Sequence, residues 1–349
     1  MDKNTLFSAL VDYIGYGAFV LLGYLLYFNT AYFQGLLQPE AKKIILLLIQ
    51  GYILFGFFYF FIRNTLFPSY LKEESKAILV FRFIFSLPRR IKPIAYNTPK
   101  DTKFLDLEID EKTRVAILSF VVKFFYFPLM LSFFIGHFFS FTNSLQNKPQ
   151  ELFTLSSFFN WGYFFLFNLI FLIDTLIFAF GYLVEARWLK NGIKSVDPYL
   201  SGWVVALLAY PPFNGAFEQM FRVNAAGINT FFNQYSILFV LRVVILLLYG
   251  VYVWATIALF TKASNLTNRG IVGSGPYRYI RHPAYSAKNI AWWLETLPYF
   301  TSFTQIVPLL IWNILYVLRA LTEERHLLKD PDYKEYVKKV KWRFIPKIF

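Results

Sequence analysis

The sequence predicts an all-α polytopic membrane protein with about eight transmembrane helices, and three observations carry that expectation. Of 349 residues, 57% are hydrophobic and 21% aromatic while only 16% are charged, more apolar surface than a soluble domain of this size can bury. Apolar runs of roughly 20 residues, long enough to cross about 30 Å of hydrocarbon, recur along the chain. The basic residues behind the net charge of +14 sit beside those runs, where membrane topology accounts for them and nucleic-acid binding is not needed.

The runs cover residues 11–28, 44–62, 115–139, 155–184, 199–217, 235–260, 283–299 and 303–321. The first lacks the short apolar core and small-residue cleavage site of a secretory signal, so it reads as a retained helix. Pro211-Pro212, followed by Asn214-Gly215, interrupts the fifth run and predicts a kink. With no cysteine in the chain, disulfides, thiolate metal sites, a thiol nucleophile and S-acylation drop out.

Placing the segments 63–114, 185–198, 262–282 and 323–349 on one side gathers 27 of the 35 Lys and Arg there with Lys3, against four on the other side. The positive-inside rule then puts both termini in the cytoplasm. Segment 63–114 is too long for a simple connection and predicts a small cytoplasmic elaboration. Within it Leu105, Leu107 and Ile109 alternate with Asp106, Glu108 and Asp110, the period of a half-exposed strand. No repeat and no Gly/Ser linker divides the chain. It reads as an N-terminal membrane region, 1–230, that includes segment 63–114, followed by a C-terminal core and cytoplasmic tail, 231–349.

The informative polar residues lie almost entirely after Thr261. Between Arg269 and Tyr285, Gly270, Gly273 and Gly275 permit close backbone approach to a ligand. Pro283 suits the first turn of a helix, which sets Arg281 and His282 at the cytoplasmic mouth of the seventh run, an end that favours anions. Arg281, Tyr285, Lys288, Trp292 and Glu295 follow at steps of four, three, four and three and share one face. Ionisable groups at bilayer depth point to a pocket. For Lys288 and Glu295 a purely structural pair stays open beside that reading. Arg319 and Glu323 stand one helical turn apart on the last run. A local salt bridge is the plain alternative. The basic, aromatic tail through Trp342-Arg343-Phe344-Ile345-Pro346 either lies along headgroups or closes over the site.

Taken in order, Arg269 to Tyr285, Arg319 to Glu324 and Tyr333 to Pro346 resemble the signature of the isoprenylcysteine carboxyl methyltransferases and their lipid-methylating relatives. The pattern is Gly-x-Tyr, then Arg-His-Pro-x-Tyr, then Arg before a Glu pair, then Tyr-x-x-Tyr with Ile-Pro near the end. The resemblance implies that Arg269, Gly270, Ile271, Val272, Tyr277, His282, Pro283, Ala284, Tyr285, Glu323 and Glu324 hold S-adenosylmethionine in a cytoplasm-facing pocket. It implies that Arg319 meets a lipid or lipidated acceptor; beside it, Lys288 and Arg281 are the further candidates to serve the reaction. A carboxylate or phosphate acceptor arrives already ionised and needs no general base. Two cations at a membrane pocket suit such an anion. This chain departs from the family at Ala287, usually Gly, at Arg269, commonly His, at Lys329-Asp330-Pro331, usually containing Phe-Gly, and at Lys288, usually apolar or small. Membrane sterol or enone reductases, which use NADPH, also carry Arg-His-Pro-x-Tyr and an aromatic Ile-Pro tail. The spacing of Arg319 to the Glu pair and Tyr333-x-x-Tyr336 favour methyl transfer. A non-enzymatic lipid- or partner-binding protein that retains the pocket is the third reading.

Overall fold

The computed structural model describes residues 3–90, 109–215, 234–300 and 306–348. Among them, six helices are long and apolar enough to span a bilayer. These are α1 (Lys3–Asn29), α3 (Pro39–Leu66), α5 (Glu111–Gln146), α6 (Leu155–Leu183, with a π turn at Phe158–Gly162), α8 (Tyr235–Leu259) and α10 (Ile306–Leu327). The chain is an all-α polytopic membrane protein.

Two of the eight expected spans are shorter than the sequence suggested. Helix α7 (Leu200–Leu207) ends in a turn at Leu208 and Ala209, before Pro211-Pro212, because proline cannot donate the next helical hydrogen bond. Helix α9 (Pro283–Thr296) has 14 residues. At 1.5 Å per residue it reaches about 21 Å, short of the bilayer core. Pro283 starts it and Leu297-Pro298 turns it into a 3-10 segment, so an apolar run continues where the helix does not.

The chain divides into two compact units, Met1–Ser132 and Phe133–Phe349. In the first, α1 packs on α3 through Tyr13 and Tyr52, stacked at 5.4 Å, and Tyr16 and Phe60, also at 5.4 Å. Asp12 is buried against Arg63, which also bonds Asn64 at 2.7 Å and lies over the Tyr70 ring. The opposite charges and the amide satisfy each other in a mostly buried setting. Helix α2 (Ala31–Leu36) packs on α1. Helix α4 (Lys76–Arg90), inside the expected elaboration, buries Ala77 and Val80 and exposes Phe85. The expected strand at 105–110 lies mostly outside the described residues. Its last member, Asp110, instead caps α5, accepting from the Thr113 amide at 2.9 Å. The Thr113 hydroxyl and amide hold the Asp110 carboxyl below its ordinary value.

In the second unit α8 is central, packed against α6 and α9. Tyr163, Ile245, Tyr249 and Ala291 form one core cluster there. Arg242 donates to the Phe159 carbonyl at 2.9 Å and faces the Tyr163 ring at 4.9 Å. Glu295 accepts from Tyr163 at 3.2 Å and Tyr249 at 3.0 Å. Two segments that the charge pattern assigned to the same side meet in an antiparallel ladder, β1 (Ser195–Val196) with β2 (Thr267–Asn268). The tail helix α11 (Pro331–Lys339) joins them. Asp330 accepts from Asn268 at 2.7 Å and from Lys194 at 3.3 Å, and its other oxygen caps α11 through the Asp332 amide at 3.0 Å.

Candidate functional site

The loop from Arg269 to Arg281 and the start of α9 lie beneath the tail. Gly270 adopts φ +101°, a conformation that side chains resist, and its amide bonds the Asn268 side chain at 2.8 Å. Arg269 is buried. One nitrogen donates to the Val184 and Asn191 carbonyls at 3.4 and 3.3 Å, while Nε and Nη2 are buried with no hydrogen-bond partner among the described residues. Burial lowers its pKa, against the opposing charge of Glu185. Ile271 and Tyr277 pack on Tyr333, Tyr336 and Val340 of the tail, and the Tyr336 hydroxyl donates to the Tyr277 carbonyl at 2.7 Å. Half-buried Val272 continues the same loop.

Around Glu324 the structure gathers several predicted residues into a hub. The carboxylate accepts from Arg281 at 2.7 Å, from Arg343 at 3.1 Å and meets His282 Nε2 at 3.0 Å. The Arg281 and His282 amides donate to the Trp342 and Arg343 carbonyls, both at 2.9 Å, and the Ser286 hydroxyl donates to the Phe344 carbonyl at 2.9 Å. The tail is thereby sewn to the first turn of α9, where Pro283 is buried and Ala284 is half-buried. Arg281 and Glu324, expected to serve reaction and cofactor directly, face each other here.

One turn deeper lies a second group. The Arg319 guanidinium is buried, standing 5.1 Å from the Tyr316 ring, 5.3 Å from Tyr285 and 5.6 Å from Tyr210. It donates to Asn265 Oδ1 at 3.0 Å. Tyr285 also donates to exposed Glu323 at 2.9 Å and stacks on His282 at 5.4 Å. A single phenol therefore ties Arg319, Glu323 and His282 together. Lys288 forms a third group: its ammonium sits 5.1 Å from the Tyr252 and Trp292 rings and 6.0 Å from Phe171. The Tyr252 hydroxyl bonds buried Asp174 at 2.7 Å, and Thr256 bonds it at 2.6 Å. Lys288 is close enough to act electrostatically on Asp174. Trp292 in turn packs on Tyr316 at 5.5 Å, linking this group to the Arg319 cage.

Sequence reasoning missed Asn265, Tyr210, Tyr316 and Tyr252 as members of the site. Asp174 alone carried a signal, a carboxylate inside an apolar run. The tyrosines are lost among 24 in the chain.

These features define a polytopic membrane protein with buried cations packed among aromatic rings under a stitched tail. Residues 232–329 match the model of the Isoprenylcysteine carboxyl methyltransferase (ICMT) family, whose members are integral membrane methyltransferases acting on lipidated substrates. The match contains Arg269 through Glu324 and stops before the tail. Asp174, Tyr182, Asn191 and Tyr210 also lie outside it, so part of the site's frame comes from the preceding helices. No curated protein and no solved structure matches the chain.

Proposed function

We propose that the chain transfers a methyl group from S-adenosylmethionine to a carboxylate or phosphate carried by a lipid or lipidated molecule, at a site facing the cytoplasm. The observation that carries this reading is the Arg319 guanidinium, buried among three tyrosine rings and linked through Tyr285 to Glu323. Such a guanidinium can bind an anion in two-pronged fashion at membrane depth.

The residues present suit the cofactor. Buried Arg269 has two nitrogens with no hydrogen-bond partner among the described residues, which favour a carboxylate. At Gly270 an added β-carbon would meet Lys262 Nζ at 3.2 Å, so the missing side chain leaves room beside two further cations, Lys262 and Lys194. Arg269 to Val272, Tyr277, the His282 to Tyr285 turn and Glu323 would hold it. When bound, S-adenosylmethionine supplies an electrophilic methyl carbon. Arg319 orients the acceptor oxygen, Lys288 adds positive potential from the neighbouring Tyr252 and Trp292 group, and the surrounding rings exclude water. With an ionised acceptor no side chain has to take a proton, and alignment in a dry site supplies the rate.

Calorimetric titration of the detergent-solubilised protein with S-adenosylmethionine, S-adenosylhomocysteine and NADPH tests this reading. Saturable binding of the first two, lost in Glu323→Ala, is the expected result. Binding of NADPH alone would transfer the assignment to the reductases, and binding of none by folded protein would leave a lipid- or partner-binding role.

A further inference from the structure

Residues 260–268 connect α8 to β2, and several backbone groups there are pinned from outside. The Thr261 carbonyl accepts from Asn191 at 3.3 Å. Ala263 is fully buried against Gly181, so tightly that a β-carbon on Gly181 would overlap its carbonyl oxygen. The Asn265 amide donates to the hydroxyl of fully buried Tyr182 at 2.7 Å. The Leu266 carbonyl accepts from Asp197 at 2.8 Å, and β2 follows. A connection with these restraints is ordered at considerable entropic cost.

What that order fixes is the Asn265 side chain. Its oxygen accepts from Arg319 at 3.0 Å and its nitrogen donates to the Tyr210 hydroxyl at 3.2 Å. One amide therefore grips the guanidinium and one wall of its cage together. Unlike a carboxylate, an amide contributes this grip without adding negative charge beside the guanidinium, so it leaves the attraction for an incoming anion undiminished.

We propose that Asn265 is a positioning residue that aims Arg319 at an anionic acceptor headgroup, carried to its place by Tyr182 and the restrained 260–268 loop. This rests on the methyltransferase reading above and deepens it. Neither Tyr182 nor Tyr210 lies within the family match, so the preceding helices help aim a side chain of the matched core.

The test uses wild type, Asn265→Ala, Asn265→Asp and Asn265→Gln in lipid nanodiscs. It follows labelled methyl transfer to an isoprenylcysteine carboxylate or to phosphatidic acid, whichever the wild type methylates, with S-adenosylmethionine affinity measured in parallel by calorimetry. Losing a hydrogen bond to a charged group corresponds to about a 10- to 100-fold weakening, so Asn265→Ala is expected to raise the acceptor KM by that factor with kcat within about threefold. The nearly isosteric Asn265→Asp keeps the fold but sets a carboxylate on Arg319, and its KM is expected to rise at least about tenfold further. Asn265→Gln is expected to recover part of the loss, and cofactor affinity to stay unchanged throughout. A folded Asn265→Asp protein with acceptor KM within twofold of wild type overturns the inference while leaving the methyltransferase reading standing. A wild type that neither binds S-adenosylmethionine nor transfers its methyl group refutes that reading, and this inference with it.

Discussion

Replacing Glu324 with alanine should release the tail from the mouth of α9. The Glu324 and Arg281 side chains are 4% and 8% exposed, and Arg343 is 32% exposed. Breaking a buried ion pair by removing one partner costs about 3–5 kcal/mol, because the remaining charge is left without its counter-ion. The Arg343 bond, a third exposed, adds at most about 1 kcal/mol. A loss of roughly 4 kcal/mol corresponds to about a thousandfold increase in the opening equilibrium. The Arg281 and His282 amides report it directly, since both donate to tail carbonyls. Hydrogen exchange at these two positions should accelerate by about two to three orders of magnitude in Glu324→Ala, while α8 amides are unaffected. Glu324→Gln, which retains an acceptor oxygen but no charge, should fall between. Exchange at Arg281 and His282 unchanged within threefold in Glu324→Ala would refute the hub as the tail's anchor.

Two further outcomes are expected. Lys288→Met should destabilise the protein by about 2 kcal/mol, the Coulomb energy of unit charges one tyrosine ring apart at an effective dielectric of about 20. Adding Asp174→Asn should recover most of that loss in a double-mutant cycle followed by thermal unfolding, while acceptor kinetics unchanged in Lys288→Met would remove Lys288 from acceptor binding. At Asp330, partial burial raises the carboxyl, but the Asn268 amide, the Asp332 amide and Lys194 outweigh it and hold the pKa below its ordinary value. A depressed folded pKa means stabilisation that is present above the unfolded carboxylate value of about 3.9 and is lost as pH falls through the folded one. The unfolding midpoint of Asp330→Asn should therefore trail wild type near neutrality and converge with it in acid below that range. A constant gap across the titration would assign the effect to packing.

How much was legible depends on the range of the interaction. Hydrophobic runs mark bilayer helices because every backbone group in lipid must be bonded within its own segment. α6 and α8 accordingly match their runs closely, while α1, α3, α5 and α10 extend several residues past theirs at one end or both. The two short helices do not fill theirs, since Leu297 to Tyr299 stays apolar after α9 has turned and hydropathy does not register where a helix stops. Arg319, Tyr285 and Glu323 were legible as one group because helical spacing and an ordered motif set them together. Asn265 was not, because an asparagine in a loop acquires its meaning only from Tyr182, Tyr210 and Arg319, which lie 83, 55 and 54 positions away.

The sequence by itself determined the solvent, the helical class and the polar motif, properties that composition and local periodicity encode in contiguous residues. Tertiary structure alone decided which charges meet. It turned Glu324 and Arg281 toward each other and the tail, set Lys288 beside Asp174, and left Arg319 in a cage of tyrosines. Those pairings depend on which helix faces abut, and long-range packing fixes that.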